Sequence, residues 1–169
     1  MATLTLNRAR VARTISGNSP MIMTFPEAAS QSFKAGEFVY LVSGKVTVCD
    51  YNSALILGMA AADASGTTDK ACPVYAANDD TIFELHKADG APGAGTATTG
   101  SATAITDVGK QFGLYRNTTL KYWWVAAGTF GGNERVVVVD LSNFDAVGDT
   151  GGRLLCIVHG RNRQLFSTS

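Results

Sequence analysis

Residues 33–66 read FKAGEFVYLVSGKVTVCDYNSALILGMAAADASG. Three apolar, β-prone runs stand out: Phe38-Val39-Tyr40-Leu41-Val42, Val46-Thr47-Val48 and Leu55-Ile56-Leu57. Ser43-Gly44 and Asp50-Tyr51-Asn52-Ser53, residue types that reverse a chain, separate them. The pattern predicts strand, tight turn, strand, loop, strand. It is architecture, and it carries no chemistry.

On either side the same grammar continues. Strands are expected at 72–77 and 81–87, joined by Asn78-Asp79-Asp80, and then at 111–116, 120–126, 134–141 and 153–159. Residues 21–25 form a further short apolar run, 27–32 (EAASQS) can make one helical turn behind Pro26, and 106–110 another. Residues 89–101 (DGAPGAGTATTGS) hold too little apolar surface to offset their ordering entropy and are expected to be a loop. No window sustains a helical period. Many short strands 8 to 12 residues apart indicate an all-β barrel or sandwich of antiparallel strands over 26–169. Residues 1–25, where Leu4, Leu6, Ala9, Val11 and Ile15 are interleaved with polar residues, are expected to form an extended N-terminal arm.

The chain of 169 residues has 14 basic and 14 acidic side chains, and only 17% of it is charged, against about 25% in soluble domains generally. Zero formal charge argues against bulk capture of nucleic acid, and no run of 18 apolar residues suggests a membrane helix. The three basic residues Arg8, Arg10 and Arg13 break any secretory h-region, so a protein made in the cytoplasm is expected. They also precede the first acidic residue, Glu27, and make the arm basic. Arg8 and Arg10 fall on one face of an extended segment and are candidates to meet carboxylates on a partner. A solvated end and a weak nucleic-acid contact are the alternatives.

Two strands are apolar on both faces. In 120–126, Tyr122 and Trp124 share one face while Trp123 and Val125 share the other, and Val136 to Val139 repeat the pattern. Either a second layer of the same domain covers them, or a neighbouring subunit does, which makes Trp123 and Val125 candidate contact residues.

Chemistry is sparse. The glycine-rich 90–100 segment lacks the Lys-Ser/Thr of a phosphate loop. His86 and His159 stand alone, Asp63, Asp69, Asp79 and Asp80 match no calcium-loop spacing, and no Gly-x-Ser-x-Gly elbow occurs. Cys49, Cys72 and Cys156 show no disulfide or zinc spacing and are expected to be buried thiols. No enzyme, cofactor or metal is expected.

With these residues in view, 33–41 (FKAGEFVYL), Gly44-Lys45-Val46-Thr47, Ile56-Leu57-Gly58-Met59-Ala60 and Asp63-Ala64-Ser65-Gly66 resemble the decoration, or cement, proteins of tailed-bacteriophage heads. In that family an F-x-x-G-x-x-V segment is followed by a G-K-V turn and an I-L-G-x-A strand. The resemblance runs to about Leu85. It implies a compact β-barrel without enzymatic activity that binds the major capsid protein on the outside of the virion, often as a homotrimer, and stabilises the shell. It also implies an N-terminal arm that adds a strand to a capsid sheet. Another β-rich virion part, tail or fibre associated, would share the layout. A carbohydrate-binding sandwich, with Tyr115 or Trp123 as its platform, is the alternative from a different class.

Overall fold

The computed structural model describes residues 6–89, 99–126 and 134–166. The expected all-β class is what it shows. Among the described residues twelve strands follow in order: β1 (Arg10–Thr14), β2 (Ile22–Pro26), β3 (Phe38–Val42), β4 (Lys45–Val48), β5 (Gly58–Ala60), β6 (Ala71–Ala76), β7 (Thr81–Asp89), β8 (Thr99–Gly100), β9 (Gln111–Asn117), β10 (Tyr122–Ala126), β11 (Glu134–Leu141) and β12 (Arg153–Val158). Two 3-10 turns, Ile105–Asp107 and Gly160–Asn162, complete the elements.

One sheet closes on itself. Its ladder runs β7-β10-β9-β11-β12 and returns to β7, because β12 pairs antiparallel with β7 through Arg153↔His86 to Cys156↔Phe83. Among the described strand pairs β10 beside β7 is parallel, an exception to the antiparallel expectation. The nine-residue β7 also carries β1 alongside its first half and β8 at its end. Alternation then decides what lies inside: Phe83 and Leu85, Phe112 and Leu114, Trp123 and Val125, Val136 and Val138, and Leu154, Cys156 and Val158 form one buried cluster. Lys87, next inward along β7, ends that cluster at one mouth. Its Nζ donates to Asp107 Oδ2 at 2.8 Å and to the Ala102 carbonyl at 2.8 Å, so the 102–107 segment plugs the barrel there.

The second sheet, β2-β6-β5-β3-β4, covers the opposite mouth. Phe38, Met59, Ile56 and Ala77 pack into the barrel cluster, with Phe38 edge-on to Phe83 and to Trp123. Its other face, Val39, Val46, Leu57, Ala60, Cys72 and Val74, closes over Phe33 as a separate core. Arg116, inward on β9, reaches Glu37 at this junction, where Nε donates to Oε1 at 2.6 Å.

Several expectations move. The third strand of the opening stretch begins at Gly58, not at Leu55, because Ile56 instead exchanges backbone hydrogen bonds with the 162–164 segment. Residues 27–32 are not helical, since Glu27 is drawn into a bridge with Val46 of β4. The arm is no free extension from residue 6 onward. Arg10–Thr14 pairs with β7 and Ile22–Pro26 with β6, so this segment lies in the sheets of its own chain. Residues 1–5 lie outside the described residues, as do 90–98 of the glycine-rich loop.

Gly58 sits where β5 crosses β6 with no room to spare. A Cβ there would run into the Tyr75 carbonyl oxygen, with the Tyr75 carbonyl carbon at 2.9 Å and Ala76 Cα at 3.1 Å. All three are backbone atoms, so the sheet itself must part. Gly58→Ala is expected to cost about 2–3 kcal/mol, read as a lowered urea midpoint.

Candidate functional site

On β7 the side chains that alternate with the barrel interior are Glu84 and His86, and they stand on the outer face beside the N-terminal segment. Glu84 is a carboxylate only 3% exposed. Arg10 Nε donates to its Oε2, Ser142 Oγ donates to Oε1 at 2.6 Å, and an Arg153 guanidinium nitrogen lies 3.8 Å from Oε1. Arg153, cross-strand from His86, holds Asp145 with a two-pronged fork, Nε to Oδ2 at 2.7 Å and Nη2 to Oδ1 at 2.9 Å. The guanidinium groups of Arg10 and Arg153 both approach the Phe144 ring, with Cζ 5.5 and 5.2 Å from its centre. Phe144 itself is 74% exposed.

His86 is half satisfied. Its Nδ1 lies 2.6 Å from the Gly151 carbonyl oxygen, which can only accept, so Nδ1 carries a proton. Its Nε2 is shut off from solvent and has no hydrogen-bond partner among the described residues. The ring lines a pocket of about 160 Å³ together with Asn7, Arg8, Arg10, Glu84 and Arg153. Arg8 forms no ion pair or hydrogen bond among the described residues. Arg10 and Arg153 are thus held by Glu84 and Asp145, while the charge of Arg8 acts on Asp63, which Lys34 also holds.

The electrostatics make this outer face acid-sensitive. Burial alone pushes the Glu84 carboxyl up, but the hydrogen bonds from Arg10 and Ser142 and the charges of Arg10 and Arg153 outweigh it and hold the group below the usual glutamate range. The Arg153 fork, opposed by slight burial, holds Asp145 low as well. A carboxyl whose folded pKa is depressed contributes stability that is present above its unfolded value and is lost as pH falls through the folded one. Stability is therefore expected to decline below about pH 4, with Glu84→Gln flattening that decline in urea titrations between pH 5 and 2.5.

The five candidate contact residues separate into three groups. Arg8 and Arg10 meet at the pocket, whereas Arg13 pairs on the outside with Asp140 at 3.1 Å, both half-exposed. Trp123 and Val125, 1% and 0% exposed, point into the barrel and present nothing to a partner. The second apolar face of their strand is covered within the chain: Tyr122 and Trp124 pack with Tyr115, Ala88, Leu6 and Tyr51. Sequence reasoning missed Glu84, Arg153 and Phe144. Only the alternation of β7, with Glu84 and His86 on the face opposite Phe83 and Leu85, hinted at them.

The remaining candidates have local uses. His159 Nδ1 accepts from the Arg161 backbone N–H, and burial followed by the charges of Arg161 and Arg163 pushes its pKa down. The four loop aspartates are dispersed, Asp63 to Lys34, Asp69 to Lys45, Asp79 to Arg163 and Asp80 to Ser16. Cys49, Cys72 and Cys156 are buried free thiols, and burial with the Glu27 charge pushes Cys72 up to about 11. The chain matches no protein-family model, and no curated protein or solved structure is significantly similar to it.

Proposed function

We propose that this protein is a structural component of a bacteriophage particle that seats on the outer surface of the capsid and stabilises the shell without catalysing a reaction. The reading rests on the likeness of residues 33–66 to capsid decoration proteins. The observation that supports it best is a pair of joined loops that expose three large apolar side chains, one of them flanked by paired arginines. Gly148 N donates to the Thr103 carbonyl at 2.8 Å and Thr103 N to the Asp149 carbonyl at 3.2 Å, so two loops are stitched together. They carry the exposed Ile105, Phe144 and Val147, and Arg10 and Arg153 flank Phe144. Side chains of this kind form the centres of protein interfaces. Oligomerisation, with a trimer favoured, would let several such weak contacts act together.

The test mixes the purified protein with capsid shells that lack it. Co-sedimentation, and a higher temperature of shell disruption in its presence, are expected, together with a trimer mass by light scattering. A monomer that leaves shells unbound would overturn the reading. Truncating the N-terminus is a poor probe of attachment, because it strips β1 from β7 and Arg10 from Glu84. Phe144→Glu is the cleaner substitution, since that ring is on the surface, and it is expected to reduce shell binding at least tenfold.

A further inference from the structure

Side chains, rather than a backbone ladder, hold the turn that carries Phe144. At its start Ser142 N donates to the Arg153 carbonyl at 3.1 Å, and beyond its end Gly148 N and Gly151 N donate to the Thr103 and Ser101 carbonyls at 2.8 and 3.0 Å. Between these ties, over residues 143–147, the backbone-to-backbone bonds among the described residues are local: Asp145 N to the Ser142 carbonyl and Asp149 N to the Ala146 carbonyl. Thr103 Oγ1 reaches the Ala146 carbonyl at a long 3.4 Å. The remaining ties to the barrel end on carboxylates. Glu84, buried on the outer face of β7, takes Ser142 Oγ at 2.6 Å on one oxygen and Arg10 of β1 on the other. Asp145 takes the Arg153 guanidinium of β12 as a fork, and the Arg153 backbone N–H at 2.9 Å. So placed, the two arginines flank the Phe144 ring.

The charged and titratable groups around these two carboxylates are Arg10 from β1 with Arg8 before it, His86 along β7, Arg153 from β12, the Arg13–Asp140 pair, and Asp149, which accepts from the Ala146 N–H at 2.8 Å. Burial pushes Glu84 up, but the hydrogen bonds from Arg10 and Ser142 outweigh it, and the Arg153 fork holds Asp145 low. A carboxyl held low favours the bound form above its free pKa and lets go as pH falls through the lowered one. These ties are therefore made above about pH 4 and lost in acid. The barrel behind them is joined by backbone ladders, which do not titrate.

We propose that Glu84 and Asp145 form an acid-released clasp on residues 142–147. When both take up protons from solvent, Arg10 and Arg153 are freed, the turn detaches from β7 and β12, and Phe144 loses its fixed position while the barrel stays paired. Attachment to the capsid shell is thereby switched off in acid, a consequence that rests on the virion reading of the Phe144 surface. The clasp itself does not depend on that reading.

The test follows backbone NMR order parameters of the full chain from pH 6 to pH 3. Those of residues 143–147 are expected to fall from about 0.85 to below about 0.6, while those of β7 and β12 stay near 0.85. Glu84→Gln and Asp145→Asn imitate the protonated groups. Asp145→Asn, at the less buried position, is expected to loosen the turn already at pH 7 with the barrel amides unchanged. The double variant is expected to co-sediment with shells at least tenfold more weakly than the wild type at pH 7. A turn that keeps its order until the β7 and β12 amides lose theirs, or that stays ordered at pH 7 in both single variants, would overturn the clasp. Full shell binding by a double variant whose turn is disordered would overturn its control of attachment. Wild-type protein that ignores shells at pH 7 would sink the virion reading instead, and the order parameters decide the clasp in that case as well.

Discussion

Trp123→Ala is expected to destabilise the isolated chain by about 3–5 kcal/mol, rather than to weaken attachment to a partner. The indole is 1% exposed and stands edge-on to Phe38, with ring centres 5.4 Å apart and planes at 84°. It joins the barrel interior to the capping sheet, so its removal leaves a cavity lined from both sheets. Against a total stability of about 5–15 kcal/mol, such a loss brings the protein close to its unfolding threshold at body temperature. Trp123→Phe separates volume from polarity. The indole Nε1 has no hydrogen-bond partner among the described residues, so phenylalanine removes an unpaired buried donor while keeping most of the packing. A cost below about 1.5 kcal/mol is expected. Urea unfolding followed by the fluorescence of Trp124 measures both variants.

Arg116→Met is expected to cost about 3–5 kcal/mol by a different route. Glu37 is fully buried, and its two oxygens are used by Arg116 Nε at 2.6 Å and by the Lys34 backbone N–H at 2.8 Å. Removing the guanidinium leaves a carboxylate in an apolar junction with one amide for company. Pairing the change with Glu37→Leu removes the stranded charge, and the double variant is expected to regain most of the loss. Failure of the double variant to recover would show that the cost lies in packing rather than in charge.

These two residues also show what could be read in the chain and what could not. Strand positions were legible because alternation and turn residues are local: β3, β4, β6, β7, β9, β11 and β12 fall within a few residues of expectation. Trp123 was legible as buried, but its cover was not. Whether a neighbouring strand or a neighbouring subunit shields a two-faced apolar strand depends on ladder order, and the closure of β12 onto β7 joins residues about seventy positions apart. The pocket was hidden for the same reason. Arg8 and Arg10 were conspicuous as a basic run, yet Glu84, His86 and Arg153 acquire meaning only when β1 and β12 flank β7. The 27–32 helix was expected from local propensity and lost to a tertiary one, the bridge from Glu27 to Val46.

The dependence on β7 sets an order of events as the chain folds. Every strand of the capping sheet lies between residues 22 and 76 and most of its partners are close in sequence, so this half can pair while the remainder is still being synthesised. The barrel has no such liberty. Until Arg153–Val158 emerges, one edge of β7 stays open over much of its length, and the interior side chains of β9, β10 and β11 have no wall to close against. Chain entropy makes that last junction slow, and the unpaired β7 edge is the segment through which two nascent copies would exchange strands.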